Sequence, residues 1–198
     1  MPARPPRRRR TRKADMIRRA ILADAPAIAR IHVQSWQETY RGLVPDEYLD
    51  RMTVTQRERG HERSLAHEDG TATFLALDPT PAGGAVPVGF ALCGRARGAP
   101  GWNWGEIFAL YLLDRAKGRG HGRALMAASS GWFAERGMTP FMLWALTANF
   151  RATGFYRHLG GEPYADRLER FGGAVLAESA FRFDRRIAAE RDPTADRI

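Results

Sequence analysis

The sequence predicts an α/β fold, in which a mixed β-sheet carries α-helices on both faces. Segments with the apolar pattern of strands are interleaved with helical segments, in the order βααβββαβαββ. The chain has 198 residues, of which 44% are hydrophobic and 10% are aromatic, which is enough to bury the core of one domain. Because the sequence contains no internal repeats, we expect one globular unit rather than an array.

The N-terminal half of the chain is predicted to contain one short strand followed by helices. The segment MIRRAIL, residues 16–22, has the composition of a strand. Asp24 is a favourable N-cap for a first helix that extends to about Tyr40. A second helical segment starts near Asp46, and the polar stretch 53–68 is also compatible with a helix.

The C-terminal half of the chain contains most of the predicted strands. Apolar, β-branched or aromatic runs bounded by glycine and proline are typical of strands. By this criterion strands are predicted at 71–77, 86–95, 106–114, 141–146, about 163–170 and about 175–184. A helix is predicted between Gly120 and Arg136, closed by Gly137, and a shorter one at 149–161.

The positive charge of the chain is concentrated at its N terminus. The formal net charge is +9, and residues 1–15, with seven basic residues and one acidic residue, contribute +6 of it. This segment lacks hydrophobic periodicity and is predicted to be a disordered Arg-rich extension or a misassigned start. Binding of nucleic acid through it is unlikely as the main function, since the rest of the chain carries only +3. We expect the domain at 16–184 and a polar C-terminal tail at 185–198.

Several classes of protein are disfavoured by composition. No apolar run reaches the ~18 residues of a membrane span, and no apolar segment follows the N-terminal arginines as in a secretory signal.

Cys93 is the single cysteine, so it forms no intramolecular disulfide, and the cytoplasm is the simplest location. Its apolar neighbours favour a small buried residue over a nucleophile. No metal is expected, because metal-ligand spacing is absent among His32, His61, His67, His121 and His158.

A glycine-rich stretch between the strand at 106–114 and the following helix indicates a phosphate site. No Walker A string occurs, and a dinucleotide fingerprint starting at Gly118 would require glycine where Arg123 stands. A ligand-free turn is possible, but it would not require three glycines. Glycines at a helix N-terminus let successive N–H groups converge on phosphate oxygens, aided here by Lys117, Arg119 and Arg123. The stretch therefore favours a pyrophosphate site.

The same stretch resembles the signature of the GNAT superfamily of acetyl-CoA-dependent N-acyltransferases. Its pattern Q/R-x-x-G-x-G/A corresponds here to Lys117-Gly118-Arg119-Gly120-His121-Gly122, with Lys117 as a mild departure. A second family pattern, N-x-x-A-x-x-F-Y, is matched by Asn149, Ala152, Phe155 and Tyr156. The stretch ADAPAIARIHVQSW also resembles the first helix of the family. The resemblance covers residues 16–184.

The resemblance implies a fold and a donor. The GNAT fold is a mostly antiparallel sheet of six to seven strands, splayed at the acyl-CoA site, and its donor is acetyl-CoA without a metal. The implied coenzyme-binding residues are Leu110, Leu112, Lys117, Gly118, Arg119, Gly120, His121, Gly122, Arg123, Asn149 and Tyr156. His121 is expected to contribute its backbone N–H rather than its imidazole. The implied reaction is direct attack by an amine in a ternary complex, without an acyl-enzyme on Cys93.

Two residues are candidates for the proton transfers of such a reaction. Glu106 starts its strand eleven residues before Lys117, where the histone-acetylating branch of the family has its catalytic Glu. Strand alternation predicts that Glu106 shares a face with Phe108, Leu110 and Leu112. An ordinary strand-end carboxylate is the alternative. Tyr156 matches the family's usual thiolate donor, although it also belongs to a possible packing stripe.

The acceptor amine is not determined by the sequence. Trp36, Tyr40 and Trp144, together with Glu106, are predicted to line its site, and Trp102 and Trp104 flank the same region. Each aromatic residue could instead pack in the core. Small amines, amino acids, antibiotics and protein amines remain open, and a homodimer is possible, as in many family members. The competing hypothesis is a non-catalytic acyl-CoA sensor, possibly tethered to nucleic acid by the N-terminal arm.

Overall fold

The strands form one seven-stranded sheet in a computed structural model that describes residues 16–66, 70–98 and 103–189. The strand order is β1-β2-β3-β4-β5-β7-β6. The strands are β1 (Ile17–Arg19), β2 (Thr71–Pro79), β3 (Ala85–Arg95), β4 (Gly105–Leu112), β5 (Phe141–Leu146), β6 (Glu162–Phe171) and β7 (Ala174–Phe183). The predicted mixed α/β class is confirmed.

The helices of the described segments lie on both faces of the sheet. They are α1 (Ala25–Tyr40), α2 (Asp46–Asp50), α3 (Val54–Ala66), α4 (His121–Ala134) and α5 (Phe150–His158). The first three pack on one face, called here the α1 face, and the last two pack on the other, the α4 face. None of the described helices is both long enough and apolar enough to cross a membrane.

The predicted element order counts one helix too few, although the additional helix, α3, covers the stretch 53–68 that was expected to be compatible with a helix. Three helices rather than two separate β1 from β2, because α2 stops after five residues and α3 begins as an independent helix. The Thr53 side-chain oxygen accepts a hydrogen bond of 3.3 Å from the Gln56 N–H, which marks the new helix start. Asp24 occupies the predicted N-cap position of α1, but its side chain makes no capping hydrogen bond to that helix. Its carboxylate instead pairs with Arg18 at 2.7 Å and accepts from the Ile21 N–H.

Parallel pairing occurs at one place in this otherwise antiparallel sheet. β4 and β5 run parallel, and their register covers only three pairs, from Gly105 opposite Phe141 to Ile107 opposite Leu143. Beyond those pairs β4 continues to pair with β3 and β5 with β7, while the two central strands separate. The mostly antiparallel, splayed sheet that the family resemblance implies is therefore present.

A β-bulge interrupts β4 just after the last pair with β5. On the neighbouring strand β3, Leu92 pairs with Ala109 and Cys93 pairs with Ile107, so Phe108 has no partner on β3. One extra residue in one strand of an antiparallel pair reverses the in-and-out alternation of the residues that follow it.

The bulge overturns the predicted common face of the β4 side chains. Ile107 lies on the α4 face, and beyond the bulge Leu110 and Leu112 also pack on that face. Glu106, the neighbour of Ile107, therefore points to the α1 face. The expectation that Glu106 shares a face with Leu110 and Leu112 is wrong, because alternation counted along one strand does not detect an unpaired residue.

The described part of the predicted C-terminal tail packs against the domain. Ile187 is buried, and its backbone N–H donates a hydrogen bond of 3.0 Å to the Ser130 side-chain oxygen on α4. Residues 1–15 and 190–198 lie outside the described residues, and so do the predicted Arg-rich extension and most of the tail. The chain thus stays packed against the domain for at least four residues beyond the end of β7.

Gly105, where β4 begins its pairing with β5, leaves no room for a side chain. A Cβ atom there would lie 2.6 Å from the ring of Phe133, a fully buried residue of α4. We expect Gly105→Ala to destabilise the protein by about 1–3 kcal/mol, because the core must shift to accept the methyl group. The measurement is the thermal unfolding midpoint, which should fall by about 2–4 °C for each kcal/mol.

Gly173→Ala is the matched control for this substitution. Gly173, in the β6–β7 turn, has no heavy atom within 4 Å of a Cβ position. Its alanine variant should stay within about 0.5 kcal/mol of the parent protein. Equal midpoints for the two variants would show that the contact between Gly105 and Phe133 is not tight in solution.

Candidate functional site

A cleft of about 560 Å³ lies where β4 and β5 separate. The end of α1, the loop before α4 and the start of α5 form its other walls. The cleft is lined by most of the predicted site residues, namely Trp36, Tyr40, Glu106, Leu110, Leu112, Lys117, Gly118, Gly120, Gly122, Arg123, Trp144, Asn149 and Tyr156. Arg119 and His121 are the two predicted site residues outside this lining. The structure therefore brings the predicted donor, acceptor and proton-transfer residues to one place.

The loop before α4 uses its glycines for backbone conformation and close packing. Gly118 and Gly120 have φ angles of 76° and 91°, in the left-handed region that favours glycine. Gly122, in the first turn of α4, would place a Cβ 3.0 Å from the ring of Phe155. The loop leads into a helix of fourteen residues, whose first N–H groups lack partners within the helix. This geometry suits an anionic group such as a pyrophosphate.

Asp78, near the end of β2, accounts for the two predicted residues that do not line the cleft. The Arg119 guanidinium forms an ion pair with one carboxylate oxygen of Asp78. His121 Nε2 lies 2.8 Å from the other oxygen, and the imidazole is only 1% exposed. Because a carboxylate accepts, Nε2 carries the proton. Asp78 thus holds the glycine loop to the sheet at two residues, one in the middle of the loop and one at the start of α4.

Sequence reasoning missed Asp78. The residue stands 43 positions before His121, at the start of a turn-rich segment where an aspartate is unremarkable. No local pattern connects it with the glycine loop, because the contact exists only after β2 and the loop have come together in the fold. The expectation that the His121 imidazole stays out of the phosphate site is consistent with this contact.

Lys117 connects the glycine loop to the first helix. Its ammonium group lies 2.5 Å from an Asp114 carboxylate oxygen and donates a hydrogen bond of 2.8 Å to the side-chain oxygen of Thr39 on α1. The carboxylate offsets part of the lysine charge. Lys117 therefore fixes the end of α1 beside the loop, in addition to lining the cleft.

Glu106 is held at the inner end of the cleft. Its carboxylate accepts a hydrogen bond of 2.9 Å from the backbone N–H of Arg97, and the residue is 7% exposed. The Arg97 guanidinium lies 4.2 Å from the centre of the Phe108 ring, the bulge residue of β4. A carboxylate fixed by one N–H retains lone pairs that can accept a proton from a ligand.

Tyr156 approaches the same cleft from the α4 face. It packs beside Phe155 and Phe181 and is 7% exposed. Burial raises the pKa of Tyr156 above its ordinary value. Its hydroxyl therefore stays protonated at neutral pH and is able to donate. Glu106 and Tyr156 lie on opposite faces of the sheet, and the separation of β4 from β5 connects the two faces.

Asn149 caps the helix that carries Tyr156. Its side-chain oxygen accepts a hydrogen bond of 3.1 Å from the Ala152 N–H in the first turn of α5. The Asn149 side chain also forms a hydrogen bond with Tyr40, another residue of the cleft lining. The cap therefore couples the orientation of this amide to the start of the helix.

Aromatic side chains surround the end of the cleft near Glu106. Trp36 packs against Tyr40 at 4.8 Å between ring centres, and both line the cleft together with Trp144. Trp104 does not line it and packs against Tyr164 instead. The remaining candidate of this group, Trp102, lies outside the described residues.

A charged pair missed by sequence reasoning lies on the opposite wall. Arg167 of β6 forms an ion pair with Glu178 of β7, in which Nε donates a hydrogen bond of 2.8 Å to the carboxylate oxygen Oε2 and Nη2 lies 2.7 Å from the same oxygen. The same guanidinium lies 4.1 Å from the ring centre of Trp144. Both charged residues line the cleft. Their cross-strand register, which the sequence does not specify, produces the pair.

Within the part of the chain that the structure describes, Cys93, His32, His61 and His121 do not line the cleft, whereas His158 does. Burial raises the pKa of the Cys93 thiol to about 12, which keeps it protonated and unreactive. His32 Nδ1 and His61 Nε2 lie 3.1 Å apart between α1 and α3. Among the described residues, no three His, Cys, Asp or Glu side chains are grouped so that they could hold a metal ion.

Similar solved structures have the same fold. PaiA N-acetyltransferase from Thermoplasma acidophilum, solved with coenzyme A, superposes with a TM-score of 0.63 and 17% identity, over 82% of this chain and 96% of that one. YncA, a putative acetyltransferase from Salmonella typhimurium solved with acetyl-CoA, gives 0.62 and 20%, over 89% and 97% of the two chains.

The sequence itself establishes the family. A protein called the uncharacterized N-acetyltransferase YuaI of Bacillus subtilis (strain 168) is 31% identical over 163 residues, which are 82% of this chain and 88% of that protein. Residues 28–160, which include the glycine loop, α5 and most of the cleft, match the model of the acetyltransferase (GNAT) family. The chain therefore belongs to the GNAT family of acetyltransferases.

Proposed function

We propose that this acetyl-CoA-dependent acyltransferase transfers the acetyl group directly to an amine in a ternary complex, with Glu106 as general base and Tyr156 as general acid. The observation that supports this assignment is the cleft, which both residues and the glycine loop line together. Acetyl-CoA would supply an activated acetyl thioester. The chain would supply binding, orientation and the two proton transfers.

The donor would be held mainly by backbone groups. The N–H groups from Gly118 to Gly122 form the anion site at the start of α4, and Arg123 adds a positive charge beside it. Beyond Ile107 the edge of β4 facing β5 is free of strand pairing, so the main chain at Leu110 and Leu112 is available to an extended ligand. The Asn149 amide lies at the same end of the cleft.

Glu106 would accept the proton of the acceptor amine. An amine attacks a carbonyl carbon only as the free base, and most amines are protonated at neutral pH. The Arg97 N–H fixes one oxygen of the Glu106 carboxylate on the α1 face, where the aromatic residues form the acceptor end. The carboxylate therefore has both the position and the free lone pairs that the role requires.

Tyr156 would assist the departure of the thiolate. The hydroxyl is kept protonated by burial, so a proton is available at neutral pH without a separate acid. Its position on the α4 face places it on the donor side of the sheet, across from Glu106.

The sensor alternative is not favoured by any described feature. A module that only binds an acyl-CoA would need the glycine loop but neither a buried carboxylate nor a protonated tyrosine in the same cleft. Its proposed tether, residues 1–15, lies outside the described residues. Release of free thiol in the presence of an amine distinguishes the two functions.

Addition of acetyl-CoA should stabilise the protein and, with a suitable amine, release thiol. At ~100 times Kd the ligand contributes about 2.7 kcal/mol, which corresponds to a rise in midpoint of about 5–10 °C. The measurement is a thermal melt with and without acetyl-CoA, followed by a thiol assay with a panel of amines. The absence of a shift with acetyl-CoA and with longer acyl-CoA would refute the proposed donor site.

Two glycine variants test whether acetyl-CoA binds at the glycine loop. Gly120→Ala forces a side chain into the left-handed region and should reduce the acetyl-CoA shift. Gly154→Ala on α5, where a Cβ meets no atom within 4 Å, should retain the full shift.

Glu106→Gln should reduce turnover at neutral pH by ~10²-fold or more, because the amide has the shape of the carboxylate but accepts no proton. The measurement is thiol release at saturating donor and acceptor. The acetyl-CoA melting shift should be unchanged, since Glu106 lies at the acceptor end. Wild-type turnover in this variant would exclude Glu106 as the base.

Tyr156→Phe should lower kcat by ~10-fold or more with little change in the KM for acetyl-CoA, because the ring remains and the donated proton is lost. Tyr164→Phe, an exposed tyrosine on β6 outside the cleft, is the matched control. If both variants have the parent kcat, the hydroxyl of Tyr156 has no role in thiolate departure.

A further inference from the structure

We propose that the acceptor is an amphoteric small molecule, an amine that also carries an anionic group, and that Arg97 binds the anion. An amino acid or an amino acid analogue with a phosphonate or phosphinate group belongs to this class. The inference rests on the proposed function, since it assigns the acceptor of the same cleft. It follows from the arrangement of four charged side chains at the acceptor end.

The charges at the acceptor end are balanced on each wall. Glu106 and Arg97 lie on the β3–β4 wall, and Glu178 and Arg167 lie on the β6–β7 wall. Each wall therefore has one carboxylate and one guanidinium. A lining of this composition does not attract a ligand with several positive charges, but it offers partners to a ligand that carries both signs.

Glu178 is already occupied by its arginine. Arg167 approaches the carboxylate with Nε and Nη2, at 2.8 Å and 2.7 Å, and its guanidinium stacks on Trp144. Both nitrogens approach the same oxygen, Oε2, and the guanidinium charge offsets the charge of the carboxylate. Glu178 therefore attracts a second ammonium group less strongly than an unpaired carboxylate would, which disfavours diamines and polyamines. Glu106 remains as the carboxylate for the reacting amine.

Arg97 is positioned to meet an anion next to that amine. Its backbone N–H holds Glu106 at 2.9 Å, while its guanidinium stacks on Phe108 at 4.2 Å from the ring centre. Stacking holds the guanidinium plane and leaves its N–H donors directed outward along the edges, where they match a carboxylate or phosphonate. Amine and anion would thus meet neighbouring partners, of which Glu106 is fixed by the Arg97 N–H and Arg97 by the Phe108 ring.

The rest of the ligand would contact aromatic side chains. Trp36, Tyr40 and Trp144 line the space between the two charged walls. They provide apolar surface for the side chain of an amino acid, with Phe171 completing the enclosure. We therefore infer that apolar or aromatic amino acids fit this end of the cleft better than strongly polar ones.

Matched ligand pairs test the inference. Each pair is an amino acid and its carboxamide, which differ in the anionic charge but not in shape, for one aromatic and one aliphatic side chain. Isothermal titration with saturating coenzyme A measures binding, and thiol release from acetyl-CoA measures transfer. We expect the acid of at least one pair to bind at least ~10-fold more tightly than its amide. The lower pKa of the amide's α-amine favours its reaction, so a preference for the acid is a stringent result.

Two arginine variants assign the preference to a residue. Arg97→Gln should reduce the ratio between acid and amide affinities to within ~3-fold, with the loss falling on the acid. Arg182→Gln is the matched control, because Arg182 also stacks on a tryptophan, Trp104 at 5.2 Å, and pairs with an aspartate, but does not line the cleft. It should leave the ratio unchanged.

Failure of this inference is distinguishable from failure of the proposed function. If amides bind and react as well as acids, or if no acid of either pair binds, the amphoteric acceptor is refuted. An Arg97→Gln variant with the parent ratio refutes the assigned residue. If the acids bind in an Arg97-dependent manner without thiol release, the anion site stands and the proposed transfer is refuted.

Discussion

Backbone hydrogen bonding between β4 and β5 ends after three residue pairs. The arrangement of the site depends on this early separation of the two strands. If pairing continued beyond Ile107 and Leu143, the sheet would be closed and its two faces would be isolated from each other. Because the strands separate, the edge of β4 becomes available to a ligand, and a passage connects the α1 face with the α4 face. The sheet therefore provides both the scaffold and the opening.

The bulge at Phe108 places different residues of the site on the two faces of the sheet. Because of the bulge, Glu106 points to the α1 face, whereas Leu110 and Leu112 point to the α4 face. The α4 face is the one on which α4, which follows the glycine loop, and α5, which carries Tyr156, pack. In the proposed function, the donor and the acceptor therefore bind on opposite sides of one strand. A regular β4 would have placed the proposed base on the donor side, away from the aromatic residues of α1.

Local signals in the sequence were sufficient for most of the fold. Strong apolar runs predicted the strands near their observed bounds, and the spacing of Gly118, Gly120 and Gly122 predicted an anion loop at a helix start. The differences that concern the site share one physical origin. The bulge at Phe108 depends on the register of two strands, and the partners Asp78 and Arg167 lie far along the chain from what they touch. Such contacts exist only in the assembled sheet, so periodicity within one segment does not report them.

The contacts of Asp78 with Arg119 and His121 limit which loop sequences this fold can accept. The glycine loop is a short local motif in the sequence. Its side chains Arg119 and His121 nevertheless both contact Asp78 on β2, some forty residues earlier in the chain. A loop grafted from a relative would bring new side chains to an unaltered carboxylate, leaving that buried charge without its partners. Replacement of the loop in this chain therefore requires a matching change at position 78 of β2, because the two segments form one structural unit despite their separation along the chain.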